Sequence, residues 1–187
     1  MVIVTHNSEA VEYSEKIEQM TRHDNYKWHV VYTKNQHEKR VYKDIIKCDI
    51  YSYLPLIKET REWSDRKKEI ECPLFPNYLF VKTCAKDYIK ILENPSVIGF
   101  VKTENRPATI PDNQIQTIKT IVSERMEFHT NKTTFKIGNV VEVVTGPLKG
   151  IKGEIVTIDN QRFIQINLRK INKNIVVKIE KEKIANI

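Results

Sequence analysis

Histidine, cysteine and paired carboxylates are the residues that most often carry catalysis, and their spacing in this chain predicts none. The five histidines are scattered, and no two have the H-x-x-x-H or H-E-x-x-H spacing that places two metal ligands on one helix face. The three cysteines, Cys48, Cys72 and Cys84, lack metal-ligand spacing, so we expect free thiols in a reducing cytosol. The chain has neither a phosphate-binding glycine loop nor a G-x-S-x-G motif. We predict a protein that is not an enzyme and needs no metal or cofactor, although a triad assembled in space would leave no such motif.

Recognition through aromatic side chains is the chemistry that the sequence does favour. Residues 72–81 read Cys-Pro-Leu-Phe-Pro-Asn-Tyr-Leu-Phe-Val, and the prolines make the start of this segment extended or turning. The aromatic and aliphatic residues of 77–81 predict a strand. Because successive side chains of a strand point to opposite faces, Tyr78 and Phe80 share one face and Leu79 lies on the other. One face can build the core while the other offers aromatics to a partner; alternatively, both faces are buried.

The elements that must position this segment predict an α+β domain, with an antiparallel sheet and helices on it. Asn35 is the predicted N-cap of the first helix, and Glu38 three residues later completes a capping-box-like pair. That helix ends near Lys47. The other predicted elements are strands at 27–33, 49–57, 66–72 and 97–101, a short helix at 85–93, and a longer helix that begins at Pro111 and carries Ile115, Ile118 and Val122 at helical spacing.

Basic residues are the second feature that fits recognition. The formal net charge is +7, and residues 1–26 hold two basic and five acidic residues, a net of −3, so the remainder carries +10. A basic body of this kind is compatible with nucleic acid. Within the first predicted helix, Lys39, Lys43 and Lys47 recur every fourth residue, with Arg40 beside them. The pattern is typical of a solvated helix face as well as of a phosphate-binding surface, and the residues alone leave both open.

An all-β pattern occupies the C-terminal part of the chain. Residues 129–134 are polar, and we predict a linker at 129–136. Alternating apolar residues then predict short strands at 140–144, 151–158, 162–168 and 174–179, with a hairpin turn at Asp159-Asn160, and strands so spaced are typical of a small barrel.

One loop of this predicted barrel has apolar residues that folding explains poorly. Gly146 and the proline after it turn the chain, Gly150 is expected to take positive φ, and Gly153 lets strands approach closely. Leu148 and Ile151 are apolar at the expected loop tip, so we predict that they bind a partner.

Four segments in order resemble the NusG family of transcription elongation factors. Residues 28–34 (Trp-His-Val-Val-Tyr-Thr-Lys), 72–81 and 94–101 resemble strands of the NusG N-terminal domain. Residues 138–155 resemble a KOW motif. The resemblance covers about residues 27–187.

The resemblance implies a domain organisation. An α+β domain of the NusG N-terminal type is expected at 27–128, and a KOW barrel at 137–187 follows the linker. Residues 1–26 lie outside the resemblance, and we expect a mobile N-terminal extension there, although residues 8–20 also have helical spacing. We predict that the KOW domain is a barrel in the free protein, and not the helical hairpin of RfaH, because Gly150 and Gly153 disfavour a helix.

The resemblance also implies a function that is binding without chemistry. A NusG N-terminal domain binds the clamp helices of RNA polymerase across the DNA channel, which disfavours pausing and raises processivity. The matching positions of the apolar concavity are Tyr32, Phe75, Tyr78 and Phe80, with Phe100 beside them. The positions matching contacts with the non-template DNA strand are Lys34 and Arg40, with Lys39 and Lys43 as neighbours. The KOW domain would recruit another factor, commonly ribosomal protein S10, through Leu148 and Ile151.

Within the family, the sequence of residues 73–81 resembles that of RfaH and of the UpxY antiterminators of capsular polysaccharide operons. Typical NusG has glycine where this chain has Asn77. We therefore predict an operon-specific antiterminator. A housekeeping NusG-like factor and a ribosome-associated KOW protein that binds RNA are the alternatives. We expect a monomer in the cytoplasm. We expect no membrane partner, since no apolar run reaches the ~18 residues of a membrane span.

Overall fold

The structure is a computed structural model that describes residues 26–62, 67–124, 126, 128–130, 136–158, 161–168, 173–179 and 181–186. The described residues divide into two compact units, and each boundary precedes a proline, namely Pro55, Pro76 or Pro111. The first unit contains residues 26–54 and 76–110, and the second contains the described parts of 55–75 and 111–187. This division differs from the domains predicted at 27–128 and 137–187, which stay predictions. Residues 1–25 of the predicted extension and the Asp159-Asn160 turn lie outside the described residues.

The described elements comprise strands, three α-helices and two 3₁₀ turns. In chain order the strands are β1 Lys27–Thr33, β2 Tyr51–Tyr53, β3 Leu56–Glu62, β4 Lys67–Pro73, β5 Tyr78–Thr83, β6 Val97–Phe100, β7 Lys102–Thr103, β8 Arg106–Pro107, β9 Thr109–Ile110, β10 Phe128–Thr130, β11 Lys136–Val143, β12 Lys152–Ile158, β13 Gln161–Leu168, β14 Lys173–Lys178 and β15 Ile184–Asn186. The helices are α1 Glu38–Ile46, α2 Tyr88–Leu92 and α3 Asp112–Ser123, and the 3₁₀ turns are Ala85–Asp87 and Lys181–Lys183.

An antiparallel sheet forms the centre of the first unit. Its strand order is β2-β5-β1-β6, and β9 pairs with β1. In β5 the consecutive residues Leu79, Phe80 and Val81 are all fully buried. Because neighbours in a strand point to opposite faces, both faces of the sheet are covered at this point. The prediction of an antiparallel sheet with helices is confirmed, and the middle of β5 follows the alternative in which both faces are buried.

Helix α1 begins later than its predicted cap. Its N-cap is His37, which makes no side-chain capping hydrogen bond. The prediction of Asn35 as the cap is wrong because Gln36 has φ +61°, so the chain takes a left-handed turn between Asn35 and the helix. Val41 and Ile45 are buried, as their spacing predicts.

The strand predicted at 49–57 is two strands. Strand β2 ends at Tyr53, and β3 begins at Leu56, after a proline that cannot donate to a strand ladder. Strand β3 pairs with β4 from Leu56 opposite Pro73 to Glu62 opposite Lys67. The strand predicted at 66–72 is therefore paired with β3, and the two form a two-stranded sheet of their own.

The C-terminal residues form the predicted all-β structure. Six antiparallel strands follow the order β10-β14-β13-β12-β11-β15. Val156, Phe163 and Val176 form a buried cluster in this sheet. The prediction of a linker from residue 129 differs from the structure at its start, because β10 pairs with β14, with His129 opposite Val176.

The two glycine predictions and the helix prediction in the second unit have clear outcomes. Gly150 has φ +85°, as predicted. A Cβ on Gly153 would lie 2.7 Å from the carbonyl oxygen of Gln165, so the predicted close approach is confirmed. In α3, Ile115 and Ile118 are buried as predicted, but the third buried isoleucine is Ile121, and Val122 is half-buried.

Candidate functional site

A pair of tyrosines, one exposed and one half-buried, lies at one end of β1 and β5 in the first unit. Tyr32 and Tyr78 lie directly opposite each other in the ladder. Their ring centroids are 5.4 Å apart at an interplanar angle of 62°. Tyr32 is 37% exposed, and Tyr78 is half-buried. Burial raises the pKa of the Tyr78 hydroxyl, and the neighbouring Tyr32 adds to the shift. An edge-to-face pair of this kind is stable within the sheet and leaves polar groups accessible to a partner.

The three phenylalanines predicted at the same face are buried. Phe80 has no exposed surface, Phe75 in the second unit is 2% exposed, and Phe100 is 9% exposed. Phe80 shares the face of Tyr78, but it lies further along β5, opposite Tyr53 of β2, where the sheet is covered. Their burial follows the alternative in which both faces of the sheet are covered, and their part in binding a partner stays a prediction.

Phe100 belongs to a small cluster around a buried histidine. His29 donates from Nδ1 to the carbonyl oxygen of Ala108 at 3.0 Å, and its Nε2 accepts from the Tyr88 hydroxyl at 3.1 Å. The Tyr88 and Phe100 rings have centroids 4.8 Å apart. Burial lowers the pKa of His29; the Ala108 hydrogen bond opposes the shift, and Lys27 reinforces it. Both ring nitrogens serve structural partners, so the cluster fixes α2 on the sheet.

The four predicted nucleic-acid-binding residues are exposed. Lys34 directly follows β1, and Lys39, Arg40 and Lys43 lie on α1. Their exposure is what either a phosphate-binding surface or a solvated helix face requires. Lys34 is two residues from Tyr32, so a cation and an exposed aromatic lie at the same end of β1.

Asn77 sets the turn that leads into the tyrosine pair. Its φ is +71°, a left-handed conformation that asparagine tolerates better than most residues. Its carbonyl oxygen accepts a hydrogen bond from the Thr33 amide at 2.8 Å. This bond extends the pairing of β1 and β5 by one residue beyond the two tyrosines.

The loop between β11 and β12 contains the two residues predicted to bind a partner. Leu148 is 2% exposed, whereas Ile151 is half-buried. The amide of Gly150 donates to the carbonyl oxygen of Val143 at 2.7 Å, and the amide of Ile151 donates to that of Leu148 at 3.1 Å. These bonds fold the loop back on itself, and Leu148 is buried where an exposed tip was expected; its part in binding a partner stays a prediction.

Exposed aliphatic residues also occur where no site was predicted. Ile89 and Leu92 of α2 are 70% and 48% exposed, and Ile98 of β6 is 59% exposed. The two residues of α2 are three apart and share a helix face. Their spacing alone is equally typical of a buried stripe, so the sequence offered no signal that they are exposed.

The structure defines a fold class with two parts, an antiparallel α+β unit and an all-β C-terminal sheet. The paired tyrosines lie at one end of the central strands β1 and β5, and exposed cations occur directly after β1 and on α1. In the described part of the chain, no group of three or more His, Cys, Asp or Glu side chains could hold a metal ion.

The chain belongs to the NusG family, since the family model for transcription termination factor nusG matches residues 26–119. It is 25% identical over 175 residues to the transcription termination/antitermination protein NusG of Streptococcus pyogenes serotype M3, which covers 86% of this chain and 96% of that protein. It is 24% identical over 146 residues to the NusG of Rickettsia prowazekii, with 72% of this chain and 76% of that protein covered. The family comprises transcription factors and not enzymes, in agreement with the sequence.

A solved structure of Thermotoga maritima NusG has the same fold. The two superpose with a TM-score of 0.53 at 23% identity, over 87% of this chain and 98% of that chain. Among the described residues, none of the helices has the length and apolar character that crossing a bilayer requires.

Proposed function

We propose that this chain is a transcription antitermination and elongation factor that binds the clamp helices of RNA polymerase through its first unit. The observation that carries the proposal is the Tyr32–Tyr78 pair, which stays accessible while Phe80 and Phe100 of the same unit are buried. Bridging the DNA channel at the clamp disfavours the paused polymerase, so the factor raises processivity by binding alone. Membership in the NusG family supports this mechanism.

Tyrosine is well suited to the role. Interface hot spots are enriched in tyrosine because a large ring is buried at little cost in side-chain entropy. The hydroxyl groups of Tyr32 and Tyr78 would require partners inside a wholly apolar core, whereas at an interface they meet water or polar groups. Strands β1 and β5 hold both rings on a paired ladder, so little conformational order has to be gained on binding.

The adjacent cations extend the proposed interface to the non-template DNA strand. Lys34 and Arg40 would contact its phosphates, with Lys39 and Lys43 as neighbours. All four are exposed in the same unit as the tyrosine pair. A chain that carries +7 is also attracted to nucleic acid at long range.

The C-terminal sheet would recruit a second factor, ribosomal protein S10 or another ligand of KOW domains. Ile151 supports this part of the proposal, because it is only half-buried in the loop between β11 and β12 and leaves apolar surface accessible to a partner. Val140 and Val144 of the same region are 50% and 39% exposed, which adds apolar surface that a partner would cover.

An operon-specific role, in capsular or surface polysaccharide genes, is the more specific form of the proposal. The segment Pro73 to Val81, with Asn77 in the left-handed turn, supports it. A general NusG-like factor is the second candidate, and it is favoured by the match over 96% of the streptococcal NusG. Mapping the chain along the genome separates the two, because a general factor occupies most transcription units and a specialised one occupies a few.

Single-round transcription on a template with a pause site and a terminator tests the main proposal. The added chain should shorten the pause and increase readthrough with RNA polymerase from the encoding organism. A Tyr32→Ala, Tyr78→Ala double variant should lose both effects, and Ile89→Ala, which removes an exposed side chain elsewhere in the unit, is the control. Unchanged pausing and readthrough with the parent chain would contradict the proposal.

A further inference from the structure

A buried carboxylate links the tyrosine pair to the basic helix. Glu38, the first residue of α1, is only 4% exposed. Its Oε1 accepts a hydrogen bond from the backbone N–H of Asn77 at 2.7 Å, across 39 positions of sequence. Glutamate is rarely buried unless it is paired, and a hydrogen bond to an ionised group is about twice as strong as a neutral one.

The helix itself does not require this burial. A glutamate in the first turn interacts favourably with the helix dipole whether or not it is buried. The N-cap, His37, has no side-chain capping bond, and Glu38 bonds to the turn before β5 and not to its own helix. The position of the carboxylate therefore serves the turn at Asn77.

Asn77 is the point at which three elements meet. Its N–H donates to Glu38 at the start of α1, and its carbonyl oxygen accepts from Thr33 at the end of β1. Asn77 itself directly precedes β5. This junction lies next to the tyrosine pair, since Thr33 follows Tyr32 and Asn77 precedes Tyr78.

A second tie holds the segment between β1 and α1. The Lys34 amide donates to the carbonyl oxygen of Ser96 at 2.9 Å. The Nδ1 of His37 lies 2.9 Å from the hydroxyl of the same serine, which is 4% exposed. Residues 34–37 are thus anchored at both ends, although the Lys34 side chain is exposed.

We propose that Glu38 is a positioning residue that holds the Tyr32–Tyr78 pair and the cations Lys34 and Arg40 in one fixed arrangement. This inference rests on the proposed function, because it concerns how the two binding surfaces of that function are organised. Without the carboxylate, the N–H of Asn77 has to find water, and the left-handed turn relaxes. Each binding event must then restore the turn, and a surface that is ordered in advance binds more tightly than one that must be ordered.

The test compares Glu38→Ala with Glu38→Gln, which keeps an oxygen acceptor at the same place. Glu93→Ala is the matched control, because it removes the same charge from an exposed position in the same unit. Glu38→Ala should weaken binding both to polymerase core and to a single-stranded DNA oligonucleotide by about tenfold, the factor expected when a buried donor loses its acceptor. Glu38→Gln should bind within about threefold of the parent, and Glu93→Ala should not differ. Equal weakening by the alanine and glutamine variants would overturn the positioning role.

A double-mutant cycle separates positioning from a loss of fold. If Glu38 acts through the tyrosines, Glu38→Ala should have little further effect on polymerase binding once Tyr78 is alanine. Full additivity, or weaker binding explained by a smaller folded fraction in circular dichroism, would overturn the inference. If Tyr78→Ala alone leaves polymerase binding unchanged, the proposed clamp interaction is wrong, and the positioning role, which rests on it, fails as well. If that variant binds weakly and Glu38→Ala binds normally, only the positioning role fails.

Discussion

Alanine substitutions at Tyr78 and Phe80 should separate binding from folding within a single strand. The two residues share a face of β5, but Phe80 has no exposed surface and Tyr78 is half-buried. Removing a buried phenylalanine costs about 3–5 kcal/mol, so Phe80→Ala should remove a large part of the ~5–15 kcal/mol that stabilises a typical domain.

The tyrosine substitutions should cost much less stability. Tyr32 and Tyr78 contribute one edge-to-face pair, with centroids 5.4 Å apart, and such a pair is worth about 0.5–1.5 kcal/mol beyond the area it buries. Either alanine variant should instead lose about 2 kcal/mol or more of polymerase affinity, which is about 30-fold in the dissociation constant. Tyr78→Phe, which keeps the ring, is the conservative control.

The assay pairs urea unfolding followed by tryptophan fluorescence with titration of polymerase core. Binding is measured without urea on variants shown to be folded. The reasoning is refuted if both tyrosine variants unfold at much lower urea than the parent and yet bind polymerase normally when folded. That result would make the tyrosines part of the core and remove the proposed clamp interaction.

The remaining predictions concern the cations, the C-terminal loop, the turn and the histidine. In single-stranded DNA binding, a Lys34→Ala, Arg40→Ala variant should reduce the slope of log affinity against log salt concentration by about 0.7 for each phosphate that the chain no longer neutralises. The control variant, Lys86→Ala with Lys102→Ala, removes equal charge from exposed sites and should leave this slope unchanged. Ile151→Asp should abolish binding of the KOW ligand without unfolding the sheet. Leu148→Asp should instead lose the β-sheet signal in circular dichroism, because Leu148 is buried. Unfolding of the Ile151 variant would contradict the prediction for Ile151. Asn77→Gly should retain stability and Asn77→Val should lose about 1–3 kcal/mol in urea unfolding, since φ is +71°. Burial lowers the pKa of His29 below 6.5, so the unfolded chain takes up a proton before the folded chain does as the pH falls. The stability that this residue contributes is therefore complete above pH 6.5 and declines below it. His29→Gln should flatten the fall in the urea midpoint between pH 7 and 5.

Local pattern determined much of the architecture. Residue type and alternation predicted β1 and β5, and helical spacing predicted α1 and α3. The glycine at 150 and the one at 153 have the roles that turn and strand chemistry require of them. These features could be predicted because each depends on residues that are close in sequence.

Tertiary structure alone decided which residues of the candidate site are accessible. Alternation assigns Tyr78 and Phe80 to one face, but it does not state where along the strand that face is covered, and the cover comes from distant residues. For the same reason local pattern does not show that Leu148 is buried or that Ile89 is exposed on a helix whose pattern fits a core. Glu38 is the clearest case of a contact that local sequence does not predict. A capping box is a local pattern, but the Glu38 carboxylate accepts from the N–H of Asn77, 39 residues away in sequence. Packing of the turn before β5 against the start of α1 brings the two groups together. Burial and pairing over tens of residues depend on how the elements pack, and no window of sequence contains that information.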